Sequence, residues 1–459
     1  MKPDKPAITV YSTAWETLRV CCSTLMDRQG PVGTLIAGEA KELRHCGTIS
    51  LRSEGVQMKP APLNQKADAD SAPGELTAAG DLSPRLSSEQ SEASPRTVLM
   101  RFIEGDRKIE ETELQARSIT RHHVTKFYRE RMANSGYYEQ LRRIVEPSVK
   151  ELDSPGVLDT SGEHDNTVVR GLQHKYAQTG LLLVTNRCAS YCRFCFRKRL
   201  VGRESDEIVP DVAKVAQYIS CHPEMTNVLL SGGDPFVLST AKLDEILAHL
   251  LSIPHLASIR IGTKLLAFEP KRFEDPALPA FFQRIRDAGK TAVLVTHFDH
   301  IGEISVNAEQ NIRSLRAQGV QFLNQSVLLA DVNDNPDILA DTFAKCHQIG
   351  VRPYYLFQAR PVKGASHFQV PLRRAIEITN GVNQRLAGIE KTFKYIMSHY
   401  TGKIEILDLG DDGRIYMRYH QNKIPDKIGK IFSRQYVESA CWLDDLPEDD
   451  RPEDDRLKN

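Results

Sequence analysis

LLLVTNRCASYCRFCFRKRLVG, residues 181–202, joins a strand-like run to a loop of three cysteines. Leu181–Thr185 is leucine-rich and β-branched, the length of a buried strand rather than a helix. Cys188, Cys192 and Cys195 follow in the spacing C-x3-C-x2-C. Three thiolates can hold three corners of a cubane iron–sulfur cluster, leaving the fourth iron open to a small chelating molecule. A structural zinc site is the competing reading; it wants four ligands, and His174 could serve as the fourth. Accidental clustering is the third, and a poor one for three of nine cysteines within eight residues. Arg187, Arg193, Arg197, Lys198, Arg199 and Arg203 crowd the same loop. Interleaved with the cysteines at the mouth of a barrel, they would meet small anions such as carboxylate or phosphate. A surface patch for nucleic acid is the alternative.

Outward from this loop the pattern is regular. Strand-like runs recur at Leu181–Thr185, Asn227–Ser231, Ser258–Gly262, Ala292–Thr296, Val320–Ser326 and Arg352–Gln358, with amphipathic segments between them. Ala241–Leu251 sets Leu243, Ile246, Leu247, Leu250 and Leu251 on one helical face. Two further helices end at Gly289 and Gly319. Six such alternations imply parallel strands with right-handed crossovers, in an open doubly wound sheet or a barrel. A barrel is preferred, because polar residues cluster just after several strands. Residues 119–152 are helical in period, interrupted near Asn134–Gly136, and should pack outside the barrel.

The 60 basic and 60 acidic residues cancel, which argues against a nucleic-acid-wrapping field. No run approaches the roughly 18 apolar residues of a membrane span, and the N-terminus lacks a secretory apolar core, so a cytoplasmic, soluble protein is expected. Residues 1–58 form a segment of unassigned role, and 59–98, rich in Pro, Ser, Ala and acid, read as a disordered linker. A helical region (99–175), the barrel (176–390), a C-terminal extension (391–440) and an acidic tail (441–459) follow. Cys221 and Cys346 fall in expected helices and read as inert core residues.

The motifs HKYAQTGLLLVTNRCASYCRFCFRKR, VLLSGGD, RIGTK, THFDH, NQSVLLADVND and VRPYYLFQ occur in this order between about Gly156 and Tyr436. In this order they resemble the lysine 2,3-aminomutase family of the radical S-adenosylmethionine superfamily. The resemblance implies a partial (βα)6 TIM-like barrel with N-terminal helices and a C-terminal extension that binds pyridoxal phosphate. It implies a [4Fe–4S] cluster on Cys188, Cys192 and Cys195, with S-adenosylmethionine chelating the open iron and cleaved to a 5′-deoxyadenosyl radical. Phe194, the run Ser231-Gly232-Gly233-Asp234, His297 and Gln325 match positions around that cofactor; a buried histidine is as readily structural. Lys175 and Tyr176 match the phosphate-binding segment, with lysine where the family has arginine, and a second family arginine falls at Thr179. Arg197 matches the arginine that holds the substrate α-carboxylate, and Lys403, after Gly402, the lysine that carries pyridoxal phosphate.

Two departures bear on the substrate, an amino acid. The lysine enzyme holds the distal ammonium with two aspartates; their positions here are Arg360 and, by ungapped counting, near Ile396. A cation at 360 would repel a lysine ammonium, which favours a distal acidic or neutral group, glutamate-like being simplest. Arg360 turned to solvent or to Glu269 is the alternative. The family's zinc cysteines are also missing: Asn335 stands at the first position and only Cys441 lies near the C-terminus, so zinc-linked oligomerisation is not implied, though a homo-oligomer is allowed. The expected reaction moves an amino group from C2 to C3, with a flavodoxin- or ferredoxin-type electron donor and no nucleic-acid or membrane partner. A family enzyme without pyridoxal phosphate, and an iron–sulfur or basic-loop binding protein without catalysis, are the alternatives.

Overall fold

The computed structural model describes residues 120–152 and 154–448. Residues 1–119, with the N-terminal segment, the expected linker and Cys21, Cys22 and Cys46, lie outside the described residues, as does the end of the tail from 449.

Helix α1 (Lys126–Asn134) starts where the Thr125 side chain accepts from the Tyr128 amide, and α2 (Tyr138–Val145) buries Leu141, Ile144 and Val145. The break between them falls where the periodicity fails. In the described remainder of the expected helical region, Val149–Glu151 forms one 3-10 turn and the rest is loop and strand. β1 (Thr167–Val169) and β2 (Leu172–Tyr176) form a hairpin around Gly171, whose φ of +88° suits glycine alone. β2 then pairs antiparallel with β3 (Thr179–Thr185).

From β3 the strands run parallel: β4 (Asn227–Gly232), β5 (Ser258–Thr263), β6 (Thr291–Thr296), β7 (Gln321–Leu328), β8 (Arg352–Gln358) and β9 (Lys394–Ser398), each beside its predecessor. Helices α3 (Val212–Ser220), α4 (Thr240–Leu251), α5 (Leu265–Phe268), α6 (Leu278–Asp287), α7 (Val306–Ala317), α8 (Pro336–Gln348) and α9 (Leu372–Arg385) lie in the crossovers. Strand order follows chain order without reversal, so every crossover turns the same way and the sheet winds round. A doubly wound sheet would reverse its order at a switch point. The six expected strands are all present. β9 is a seventh parallel strand, inside the region assigned to a C-terminal extension. An antiparallel meander, β10 (Gly402–Leu409), β11 (Arg414–Asn422) and β12 (Ile431–Gln435), continues the sheet, and β1 and β12 end it unjoined.

The sheet stands on two apolar cores. One packs β3–β7 against α3, α4, α6 and α7; α4 contributes Leu243, Ile246, Leu247 and Leu250, each stabilising by about 1.5–3 kcal/mol on burial. Gly289 and Gly319, after α6 and α7, take φ of +71° and +80°, as the C-terminal stop signals require. The second core joins α8, α9 and β8–β12 and takes in Trp442 and Leu446. Residues 441–448 therefore dock on the fold rather than belonging to a solvated tail. Cys346 is buried as expected, whereas Cys221 caps α3 and is exposed.

Candidate active site

A cavity of about 360 Å³ opens among the C-terminal ends of the parallel strands and reaches the meander. The cysteine loop forms one wall. Its base is clamped by the turn after β4, where the Gly233 amide donates to the Thr185 carbonyl (2.6 Å) and the Asp234 amide to the Arg187 carbonyl (2.8 Å). Gly232 sits at φ +111°, and a Cβ on it or on Gly233 would overlap these same carbonyls. Both glycines thus serve contact of the turn with the cysteine loop itself. The Asp234 side chain is engaged within the fold. One oxygen accepts from the Phe236 amide and the other from Thr263 Oγ1 (2.9 Å) and the Lys264 amide (2.7 Å), locking the loop after β5. Burial pushes this carboxyl up to about 6 against those hydrogen bonds.

Cys188, Cys192 and Cys195 are unpaired and all line the cavity. Burial raises all three thiols, so the thiolate form needs a metal's charge to stabilise it. Three thiols leave a tetrahedral zinc one ligand short, whereas a cubane cluster takes three thiolates and keeps one iron open. His174, the candidate fourth zinc ligand, faces away: its ring bonds the Tyr218 hydroxyl and the Ala177 carbonyl.

The basic residues of the loop are largely neutralised, contrary to the expectation that they await small anions. Arg193 is fully buried in a two-pronged pair with Glu151 (2.9 and 2.7 Å), which Lys198 approaches at 3.4 Å. Glu163 takes Arg197 (2.8 Å) and Arg199 (2.6 Å), and Arg199 also reaches Glu207. Flanked by two guanidiniums, the Glu163 carboxyl is held down at about 2 despite its burial. Arg197 points Nη1 to Ser231 Oγ (2.8 Å) and the Gly232 carbonyl on the cavity wall.

A different set of cations faces the cavity without carboxylate partners among the described residues. Lys403 enters from the start of β10, where a Cβ on Gly402 would overlap the Gln421 carbonyl of β11. Its Nζ lies 5.7, 5.6 and 5.4 Å from the ring centres of Tyr176, Tyr355 and Phe357. Burial, then Arg360, Lys175 and Arg260, bring this amine down to about 7. Lys175 Nζ donates to the carbonyls of Ser161 and His399, and burial brings it also to about 7. Arg360 stacks over Phe196 at 4.0 Å and bonds the Ser161 hydroxyl; it turns neither to solvent nor to Glu269, and burial lowers it to about 10. Ile396 is buried in β9, so neither distal-ammonium position carries a carboxylate. The acidic side chains lining the cavity, Glu163 and Asp234, are both engaged.

His297 packs its ring edgewise on Phe194 (centroids 5.8 Å apart), with Nε2 3.1 Å from Asp299. Behind it, Lys264 bridges Asp299 (2.8 Å) and Glu303, which Tyr128 of α1 also bonds. Gln325 lines the cavity from β7. Sequence reasoning missed Glu163, Glu151, Arg260, Tyr355 and Lys264. Arg260 and Lys264 stand in the quoted RIGTK string, where alternation along β5 could have flagged them; the glutamates lie in no motif. Arg260 is a cavity-lining guanidinium whose buried Nε has no partner among the described residues.

No family model matches the chain. It is similar to L-lysine 2,3-aminomutase of Clostridium subterminale, 32% identical over 63% of this chain and 69% of that protein. It is 36% identical to L-lysine 2,3-aminomutase of Escherichia coli (strain K12), over 50% of this chain and 66% of that protein. A provisionally named L-lysine 2,3-aminomutase of Aquifex aeolicus (strain VF5) is 41% identical over 68% of this chain and 83% of that protein. Among solved structures, a radical SAM methyltransferase from Sphaerobacter thermophilus covers 49% of this chain and 68% of its own, at 17% identity and a TM-score of 0.32.

Proposed function

The chain belongs to the lysine 2,3-aminomutase family of radical S-adenosylmethionine isomerases, and from that premise we propose that it moves an amino group between C2 and C3 of an amino acid whose far end is anionic, glutamate being the simplest. The observation that carries this reading is the charge of the cavity. Lys175, Lys403, Arg260 and Arg360 line it without carboxylate partners among the described residues, and its two lining carboxylates are already engaged. An ε-ammonium would meet these cations and no carboxylate that is not already engaged, whereas a distal carboxylate meets a guanidinium already held by Phe196 and Ser161.

Cys188, Cys192 and Cys195 hold the cluster in this reading, and the SGGD backbone, Phe194, His297 and Gln325 surround S-adenosylmethionine. The cluster and S-adenosylmethionine supply a hydrogen-abstracting carbon radical, and pyridoxal phosphate supplies delocalisation of the unpaired electron. Lys403 fits the pyridoxal phosphate attachment: its amine, near 7, is substantially neutral and nucleophilic at physiological pH. Lys175 gives the phosphate a point charge, fixed by two carbonyls on its other side. Arg197, oriented by Glu163, takes the α-carboxylate through its cavity edge, and Arg360, with Arg260, takes the distal one. Tyr176, Tyr355 and Phe357 shield Lys403 from water. A small flavodoxin- or ferredoxin-type protein is the proposed electron donor.

Anaerobic assays of the reconstituted protein with pyridoxal phosphate, S-adenosylmethionine and either glutamate or lysine test the reading. A β-amino acid from glutamate supports it; robust lysine turnover with none of glutamate overturns it.

A further inference from the structure

We propose a second metal site, for a zinc-class divalent cation, at the foot of the β2–β3 turn, built from His174, His222 and Glu224. One ligand atom from each lies within 4.8 Å of the others. The residues come from separate elements, His174 from β2 and the other two from the segment between α3 and β4. The histidine rings stand 5.5 Å apart and nearly perpendicular.

The hydrogen bonds around the rings select the tautomers a metal needs. A carbonyl can only accept, so His174 must donate from Nε2 to Ala177 (3.1 Å) and His222 from Nδ1 to Tyr218 (2.7 Å). The lone pairs are thereby left on His174 Nδ1 and His222 Nε2. This is the outer-shell arrangement that fixes a ligating imidazole, the far N–H held by a carbonyl and the near nitrogen left with its lone pair. Tyr218 stacks on His222 (centroids 3.9 Å apart), and its hydroxyl donates to His174 Nδ1 at 3.1 Å, a bond the ion replaces. Two imidazoles and one carboxylate suit zinc, with water in the fourth position.

None of the three residues lines the reaction cavity. The ion would act as a clamp. It ties β2, one residue before Lys175 and Tyr176, to the start of the barrel strand β4, and fixes the hairpin that brings those two side chains to Lys403. The cysteine cluster is a separate centre, and the site does not depend on the substrate assigned above.

Zinc titration by calorimetry on the full-length, cluster-loaded protein is the test. One Zn²⁺ per chain is expected beyond the cluster iron, with Tm rising as zinc is added. His222→Ala should weaken binding at least 100-fold, and Glu224→Gln about tenfold, with cluster iron content unchanged. X-ray absorption at the zinc edge of the wild-type protein, which depends on no variant, should show only N/O ligands near 2.0–2.1 Å. Failure to bind zinc, equal binding by a folded His222→Ala, or a sulfur shell at 2.3 Å would each overturn the proposal.

Discussion

Arg360→Gln isolates the charge on which the substrate assignment rests. The amide keeps polar contact with Ser161 and removes the guanidinium, which pairs with no carboxylate among the described residues. Two unit charges about 4 Å apart interact by about 4 kcal/mol at an effective dielectric of 20. Arg360 is only half-buried, and water in the cavity screens it, so about half of this is retained, roughly 2 kcal/mol or 30-fold. A glutamate-like substrate should lose that factor in kcat/KM, mainly through KM, because the contact exists before and during the reaction. Lysine is relieved of the same repulsion, so the lysine-to-glutamate ratio of kcat/KM should rise by about 10³. Initial rates of β-amino acid formation under anaerobic conditions, with 5′-deoxyadenosine measured in parallel, give both constants. A ratio unchanged within threefold would refute the reasoning, even if glutamate proved to be a substrate.

Cys188→Ala should lose the cluster's visible absorption and all 5′-deoxyadenosine formation, as iron analysis and product chromatography would show. Lys403→Ala should lose the visible band of protein-bound pyridoxal phosphate and all turnover while keeping the cluster; in the wild type, cofactor attachment should speed up from pH 6 to 8 with a midpoint near 7, since only the neutral amine attacks and its pKa lies there. Unmixed with other effects, a lysine lowered from 10.5 also costs stability, fully below pH 7 and vanishing above 10.5. Glu163→Gln leaves buried Arg197 without its carboxylate, while Arg199 keeps Glu207, and should cost about 3 kcal/mol, read as a lowered denaturant midpoint. In the wild type the same carboxylate, depressed from 4.5 to about 2, contributes stability that is full above pH 4.5 and lost as pH falls through 2.

The parts of this structure that sequence exposes are those whose cause is local. Six barrel strands show as apolar runs, the helix stops show as glycines, and the cysteine loop shows as spacing. β9 escaped because Lys394–Ser398 is too short to carry a period of its own; it becomes a strand by pairing with β8. The hairpin of β1 and β2 escaped for the same reason. Glu163 lies 34 positions before the arginine it neutralises, and Glu151 lies 42 before Arg193. No local pattern announces such pairs, so sequence does not show that these loop cations already hold internal carboxylates. The reverse holds for Arg260, ordinary in sequence and at the cavity wall, where its buried Nε has no partner among the described residues. Arg360, a single departure within a quoted motif, lines the cavity from the end of β8.

The central claim is that this cavity is built for an anionic far end. One measurement meets it directly: anaerobic turnover of glutamate and lysine, side by side, by the cluster-loaded, pyridoxal phosphate-loaded protein with S-adenosylmethionine and a strong reductant. The account predicts a 3-amino acid from glutamate, with lysine converted at least 10³-fold less efficiently. Efficient conversion of lysine with none of glutamate would contradict it.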